Sequence, residues 1–581
     1  MKRVFGHLWR SLRPYRGISA FTLLLITAQI GADLMIPRLI QRIIDSGVRH
    51  GNLSVVLQTS ALMIGLSLLS CALAVGSSLC SIRVSEGIGR DLRKEFFLKV
   101  QSFSYGNLDR YSTGQLMVRI SSDVSAMQRL VHMSLRMGAK GPLMMTGSVV
   151  MMFLTAPQLA VWVVPVMFLA MGVVVYFSMR MEPAFRTVQE KLDRLNTVLQ
   201  ENIAGAELVK SFDRADFEEA RFEESNQAFT SSSIRVMQFM AVLDPFLTFT
   251  VNLAIVVIIW AGGLQSISGS LSPGTLVAFV NYMLAVQVPL LFMITMSNNL
   301  ANGLASGKRV CDLLDEPAEV AEADDLISLN GAALGECRLD RVAFSYHDNP
   351  THQVLEDINL RSEPGQMIAI LGATGAGKSS LVNLIPRFYD PHAGQVLVNG
   401  IDLRRVKQSS LLARIGVVAQ ESILFSGSIR DNLRYGRPNA SDAEVEAAAK
   451  AAQIHAFIQN LPDGYETHIE QRGANLSGGQ KQRMAIARAL LVQADYLILD
   501  DSTSAVDVET EAKIQQEIRQ IMRGKTIFMV AQRISTVLNA DKIIVLDHGR
   551  IAAEGSHQRL MLSSPIYREI FESQLGSGAG L

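Results

Sequence analysis

Six apolar stretches crowd into the first 310 residues, and no other feature of the sequence restricts the fold so tightly. They run Ile18 to Ile36, Val55 to Ile82, Pro142 to Thr155, Leu159 to Met179, Val236 to Ile267 and Leu276 to Leu300. Most reach the ~20 residues that cross a ~30 Å hydrocarbon core. The third is short and draws on its flanks. Lipid offers no partner to backbone N–H and C=O groups, so each stretch must be a helix. A cleavable leader fits the first poorly, because Gln29, Asp33 and Arg38 follow with no small-residue cleavage pattern. Composition agrees with a membrane protein carrying a large polar portion: 49% of residues are hydrophobic and 19% charged, below the ~25% charged of soluble chains. That apolar content excludes low-complexity disorder.

Basic residues set the orientation. Lys2, Arg3, Arg10, Arg13 and Arg16 precede the first stretch, and Arg83, Arg90, Arg93, Lys94, Lys99, Arg110, Arg119 and Arg129 follow the second. The links Pro157-Gln158 and Ser266 to Pro273 carry no charge. Both termini are therefore expected in the cytoplasm. Two long segments, about Arg83 to Lys140 and Met181 to Val236, are too polar for lipid. They keep helical periodicity, as in Val188, Leu192, Leu195, Leu199 and Ile203. They are predicted as helices running on into the cytoplasm, each pair joined by a short transverse turn. Phe5, Leu8, Trp9 and Leu12 among basic residues predict an N-terminal helix lying on the inner leaflet and contacting its lipids.

The charge balance, 54 basic against 54 acidic residues, gives no electrostatic case for nucleic acid as a partner. The four cysteines, Cys71, Cys80, Cys311 and Cys337, form no CxxC pair, which excludes a disulfide scaffold and argues against zinc or iron–sulfur. The expected organisation is an interfacial segment over 1–17, an all-α six-helix membrane domain over 18–310 with two cytoplasmic coupling regions, and a linker over 311–335 with an acidic stretch from Asp312 to Asp325. An α/β nucleotide-binding domain over 336–575 and a tail over 576–581 complete it.

Chemistry enters after Gln366. The apolar run Met367-Ile-Ala-Ile-Leu is followed by Gly372-Ala-Thr374-Gly375-Ala376-Gly377-Lys378-Ser379-Ser380 and then Leu-Val-Asn-Leu-Ile. This is the order strand, glycine-rich turn, helix that GxxxxGK[ST] requires. Glycines let backbone N–H groups wrap phosphates at a helix N-terminus. Lys378 is placed to reach the β/γ-phosphates, and the Ser379 hydroxyl to ligate Mg²⁺. About 120 residues on, Tyr496-Leu-Ile-Leu-Asp500-Asp501 reads as a strand ending in carboxylates, with Asp500 in the Walker B role toward Mg²⁺. Between them Leu476-Ser477-Gly478-Gly479-Gln480 opens a second helix with a second set of N–H donors, and one chain cannot readily close both turns on one nucleotide.

These elements, with Gln420 in Val-Val-Ala-Gln-Glu and Ser504-Ala505-Val506-Asp507, stand in the order found in a half-transporter of the ATP-binding cassette exporter family, which the chain resembles over nearly its whole length. The resemblance implies ATP and Mg²⁺ as ligands, with Tyr346 stacking adenine and Gln420 sensing Mg²⁺ and phosphate. It implies a head-to-tail pair in which Ser477, Gly478, Gly479, Gln480 and Asp507 serve a nucleotide bound to the partner chain. It also likens Tyr111 to Arg119 and Glu201 to Phe212 to the turns that press on the cassettes.

Three departures from that family pattern cluster on hydrolysis. Asp501 stands where a glutamate orients the attacking water, Gln532 replaces the switch histidine, and Gln471 replaces a glutamate upstream of LSGGQ. One methylene less moves a carboxylate by about 1.5 Å, and a misplacement of ~1 Å can cost ~10²-fold in rate. The binding groups Lys378, Ser379 and Asp500 and the whole Leu476 to Gln480 signature are intact. The expectation is a site that holds Mg-ATP and cleaves it poorly, resembling the degenerate half of heterodimeric multidrug and lipid exporters. Its partner half would keep the glutamate and the histidine. Two rivals stand beside it: a self-sufficient homodimeric exporter, and an ATP-gated regulatory or channel-like protein. Asp244 is read as facing the path of a small-molecule substrate or as a helix-end anchor. The methionines of the spans, Met144, Met145, Met151, Met152, Met167, Met171, Met283, Met293 and Met296, are read as lining an adaptable cavity or as ordinary packing. No Arg/Ser-rich transit segment precedes the first span, so a bacterial inner membrane is expected.

Overall fold

The structure is a computed structural model that describes residues 2–320, 326–329, 334–346 and 353–575. The end of the acidic stretch (321–325) and the 576–581 tail lie outside the described residues. The chain forms two compact units, Met1–Gln101 with Thr113–Glu316, and Ser102–Ser112 with Pro317–Leu581.

The first unit is helical. Helices Leu53–Gln101, Pro157–Ala204 and Ala215–Ile267 have 49, 48 and 53 residues. At 1.5 Å per residue each is more than twice as long as a hydrocarbon core is thick, so each carries the polar extension its sequence demands. Among the described residues five helical segments are long and apolar enough to cross a membrane: Arg3–Val48, Leu53–Gln101, Thr113–Thr155, Pro157–Ala204 and Ala215–Ile267. The sixth expected span lies on helix Pro273–Leu314, where the side chains of 290–298 are outside the described residues. Large apolar side chains such as Leu68, Leu79, Trp162, Phe168, Val256 and Trp260 are exposed on these helices, a surface that water would not tolerate and lipid would.

The inside of the unit is a cluster that includes Ile26, Ile30, Leu159, Val163, Val251, Ile258, Phe279 and Tyr282. Met152, Met167 and Met283 are buried in it, and Met144, Met145, Met151 and Met171 pack against it. Packing thus accounts for these methionines. Those at 293 and 296 have side chains outside the described residues. Asp33 accepts a hydrogen bond from Ser70 Oγ at 2.5 Å, so this carboxylate is paired by a neighbouring helix. Asp244 falls on helix Ala215–Ile267, and its side chain is outside the described residues. Helix Lys2–Leu12 forms as expected; Phe5 and Trp9 are exposed on it, and His7 Nε2 lies 2.9 Å from Asp315 Oδ1.

Both turns between the polar helical extensions contain a short helix. In the second, the long helix ends at Ala204 and restarts as Ala206–Ser211 around Gly205, within the Glu201 to Phe212 segment. In the first, the short helix is Tyr105–Asp109, upstream of the expected Tyr111 to Arg119 motif. Ser104 explains the position: its side chain and that of Asn107 form a reciprocal capping box that starts a helix there. Tyr111 to Arg119 instead leads into helix Thr113–Val118.

The second unit is α/β. Its six-stranded sheet runs, in spatial order, Arg550–Gly555, Lys542–Asp547, Met367–Gly372, Thr526–Val530, Tyr496–Asp500 and Ile415–Val418. The first pairing is antiparallel and the others are parallel. Strands Tyr496–Asp500 and Thr526–Val530 are buried at every residue, as expected where helices or a second layer cover both faces. Distinct apolar clusters fill the two sides, one around Leu497, Leu499 and Met529 and one around Ile498, Phe528 and Ile370. A four-stranded antiparallel sheet, in which Leu355–Ser362, Cys337–Phe344 and Ala393–Val398 are neighbours, contributes to the second cluster. Each fully buried Ile, Leu or Phe is worth about 1.5–3 kcal/mol, which fixes the strand register and everything at the strand ends.

Candidate functional site

That register builds the site. Val530 pairs with Ile370 on one side and with Asp500 on the other, so the Tyr496–Asp500 and Thr526–Val530 strands end level and the Met367–Gly372 strand runs on past them into the glycine turn. The ladder continues one step beyond, with Asp501 N donating to Val530 O and Ala531 N to Ile370 O, both at 3.2 Å. The glycine turn, Asp501 and Gln532 therefore emerge side by side at the carboxyl edge of the sheet, where open parallel sheets bind ligands. Gly377 holds φ +96° there, and a Cβ on it would lie 2.8 Å from Leu355 Cδ2. Only glycine fits.

A cavity of about 300 Å³ results, lined by Tyr346, Thr374, Gly375, Gly377, Lys378, Ser379, Ser380, Gln420, Asp500, Asp501 and Gln532. Nearly all the residues expected at this chain's own site thus come together. Val354 and Val530 also line it; as ordinary apolar strand-edge residues they carried no signal in the sequence. Two expected residues sit differently. Ala376 has its methyl in the apolar core and its N–H bound to Ala373 O at 3.2 Å. Gly372 contributes its carbonyl, which accepts from Lys378 Nζ at 2.9 Å; Ala373 O accepts from the same ammonium at 2.8 Å.

Ser379 Oγ donates to Asp500 Oδ1 at 2.9 Å. Two oxygens on adjacent vertices of an octahedron around Mg²⁺, each at about 2.0–2.1 Å, are about 2.9 Å apart. This pair, with the Gln420 amide in the same cavity, is a hard-oxygen donor set that fits the ion. Burial pushes the Asp500 carboxyl above its ordinary value, against the Ser379 bond and the Lys378 ammonium and with the Asp501 charge adding. Burial likewise raises Asp501, while Lys378 and Arg533 hold it down. Lys378 is lowered by burial, against the two carboxylates. All three groups are partly stripped of water and await a charged ligand.

Asp501 and Gln532 meet directly: Gln532 Nε2 donates to Asp501 Oδ2 at 2.7 Å. Asp501 holds φ +46°, a left-handed conformation that Asp tolerates better than most side chains. The Gln532 backbone is clamped as well, its carbonyl accepting from Gln574 Nε2 at 2.8 Å while Gln574 Oε1 accepts from Ile534 N at 2.8 Å. Gln471 lies in a short 3₁₀ turn, Gln471–Gly473.

The second glycine turn borders its own cavity of about 350 Å³, with Ser477, Gly478, Gly479 and Asp507 in its wall. It shares no lining residue with the first. Gly479 is required, since a Cβ there would lie 2.8 Å from Ala505 O. Gln480 is absent from the cavity wall, because its Oε1 accepts from Ser477 N at 2.8 Å in a capping box that starts helix Gly478–Leu491. Asp507 caps the helix after it, accepting from Thr510 N at 2.9 Å, and that bond lowers its carboxyl. Gln482 ties the two together, donating to Ser504 Oγ at 3.1 Å and accepting from Ala505 N at 2.9 Å.

Known proteins share this arrangement. Residues 19–290 match the ABC transporter transmembrane region, and residues 355–504 match the ABC transporter family model. An uncharacterized ABC transporter ATP-binding protein of Bacillus subtilis (strain 168), YfiB, is 35% identical over 570 residues, 97% of this chain and 98% of that protein. The chain belongs to the ABC transporter family. An ATP-dependent lipid A-core flippase of Syntrophus aciditrophicus (strain SB) is 35% identical over 491 residues, 84% of this chain and 81% of the flippase. The solved structure of a bacterial Atm1-family ABC exporter with ATP bound superposes with a TM-score of 0.81 at 27% identity, covering 98% of this chain and 99% of that one. This ABC chain is thus an exporter-type half, with membrane helices and an ATP-binding domain in one polypeptide. Its ATPase domain serves transport across a membrane, and exporters of this kind act as dimers.

Proposed function

We propose that the protein is one half of a heterodimeric exporter of amphipathic or hydrophobic small molecules, drugs or lipids. Its own site binds Mg-ATP and cleaves it poorly, while its Ser477 turn completes the working site of a different partner chain. The observation that carries this reading is the 2.7 Å bond between Asp501 and Gln532. Two of the three residues that depart from the family pattern are bonded to each other. A group that orients water must offer a free acceptor within hydrogen-bond reach of it. Asp501 starts one methylene short and already accepts from an amide. That amide can neither take up nor release a proton as an imidazole does.

Binding rests on other residues. Tyr346 would stack adenine, and the turn from Gly372 to Ser380 would wrap the phosphates with its N–H groups. Lys378 would pair with phosphate oxygens in place of its own loop carbonyls. Ser379, Asp500 and Gln420 would hold Mg²⁺, which supplies charge neutralisation to the phosphates when bound. In trans, Ser477, Gly478 and Gly479 would meet the partner's nucleotide, with Asp507 beside them. Separate cavities for the two glycine turns support a two-chain site. Exposed apolar groups, Leu208 and Phe212 on the second cytoplasmic turn and Ile423, Phe425 and Tyr435 on the ATP-binding domain, support further covering surfaces. The likeness to a lipid A-core flippase supports a lipidic or amphipathic cargo, and a bacterial inner membrane with both termini inside suits the basic residues.

Purification of the chain from its native membrane, with mass analysis of what accompanies it, tests the reading together with ATPase assays. The expected result is a second ABC half and little turnover by this chain alone. A symmetric pair of this chain that turns over ATP briskly would favour the homodimer. Solute flux driven by ATP binding without hydrolysis would favour the gated channel.

A further inference from the structure

Helix Arg16–Arg42 carries a single carboxylate, Asp33, and it sits deep in the span. At 1.5 Å per residue it is about 25 Å from Arg16 and about 24 Å from Arg49. A hydrocarbon core of ~30 Å placed anywhere between those two cations contains it. Its surroundings are polar but neutral. Ser70 Oγ, on helix Leu53–Gln101, donates to Asp33 Oδ1 at 2.5 Å. Gln29 Nε2, one turn back on the same helix as Asp33, lies 3.5 Å from Oδ2, at the outer limit of a hydrogen bond. Ser70 and Gln29 are each 7% exposed, whereas Asp33 is only half-buried. Among the described residues no cation pairs with Asp33, and Gln29 Oε1 accepts no hydrogen bond. Arg38, five residues further on, is turned about 140° around the helix axis.

A charge at this depth is expensive unless it faces water and meets a counter-charge. One oxygen of Asp33 is held by a strong bond. The other, together with the Gln29 side-chain oxygen, is left as an acceptor in a setting where an unmatched polar group costs most. Packing alone would be served by an apolar residue, as at Ile26 and Ile30 on the same helix. The partner these groups lack is a cation rich in donors. A hard metal ion asks for about six oxygens, more than Asp33, Ser70 and Gln29 hold between them. An ammonium group offers about three N–H donors, a number they can meet. We propose that Asp33, oriented by Ser70 and backed by Gln29, binds the protonated amine of an amphipathic substrate inside the membrane domain. The site then selects for positive charge, because a neutral molecule in the same place leaves the anion unpaired. This rests on the exporter reading above and names the chemistry of its cargo.

The test uses the complete transporter in proteoliposomes and two probes with the same aromatic tail, a primary amine and its uncharged N-acetyl derivative. Wild type is expected to export the amine with the lower half-saturating concentration. Asp33→Asn keeps the size of the side chain and an acceptor for Ser70. It should raise the half-saturating concentration for the amine by about 10- to 10²-fold, the range for loss of one charged hydrogen bond, and leave export of the N-acetyl derivative as it was. Asp33→Glu restores the charge and should recover most of the preference. Equilibrium binding of both probes to the same transporters in nanodiscs should follow the same order. Equal changes for the two probes in Asp33→Asn, as a purely structural role would give, would overturn the inference. So would unchanged amine binding in that variant, or a wild type that binds the two probes alike. If wild type exports neither probe, the exporter reading fails instead, and the binding measurements still decide for or against Asp33.

Discussion

The ATP-binding domain carries two glycine turns, and they differ in what surrounds them. Around the Gly372 to Ser380 turn the groups that hold a nucleotide are in place, including the Ser379–Asp500 pair at 2.9 Å, but the groups for hydrolysis are an Asp501–Gln532 couple at 2.7 Å. Around the Ser477 turn the Leu476 to Gln480 residues keep the family pattern, with Gln471 upstream as the one departure: the capping box, the close approach of Gly479 to Ala505 and the Gln482 bridge are all present. Binding a nucleotide and cleaving it thus depend on separable sets of side chains. On the proposed reading, selection for the second has relaxed at one turn while the other serves a partner.

The contrast can be broken most forcefully at the Ser477 turn. Ser477→Arg fills the space beside Gly478 and Asp507 with a long cation, and it should cost the assembled transporter on the order of 10²–10³ in ATP turnover, the range for loss of one stabilising donor. Asp501→Ala should leave that turnover nearly unchanged, and equal damage from both would contradict the contrast. The next largest effect is a gain. Asp501→Glu with Gln532→His should raise hydrolysis at this chain's own site by about 10²-fold, read as ATPase of the chain alone. Lys378→Ala removes a charge-assisted contact of about 1.5–3 kcal/mol and should weaken Mg-ATP binding by about 10- to 10²-fold, measured with a fluorescent nucleotide. The smallest effect is structural. Gln482→Ala leaves Ala505 N without its partner and should destabilise the domain by about 1–3 kcal/mol, visible as a lower melting temperature.

Much of this architecture was legible in the sequence because its causes are local or absolute. Lipid forces apolar runs into helices, and Gly377 followed by Lys378 admits few readings after a strand of five apolar residues. The short helix of the first turn lies upstream of the Tyr111 to Arg119 motif because the Ser104–Asn107 capping box, a weak signal in a sequence without a glutamate or glutamine at its third position, starts it. The bond between Asp33 and Ser70 was not legible, because it joins two helices through residues that are distant in sequence. Gln480 adds a local role to the one expected of it toward a partner's nucleotide: its amide oxygen is engaged in starting its own helix.

The most direct test of the account is the identity of the nucleotide retained at the Lys378 site after the assembled transporter has turned over. Photo-crosslinking a labelled ATP analogue to each chain, followed by separation of the chains and analysis of the label, gives it. The account predicts intact triphosphate on this chain and diphosphate on its partner. Diphosphate on both, formed at the same rate, would contradict it.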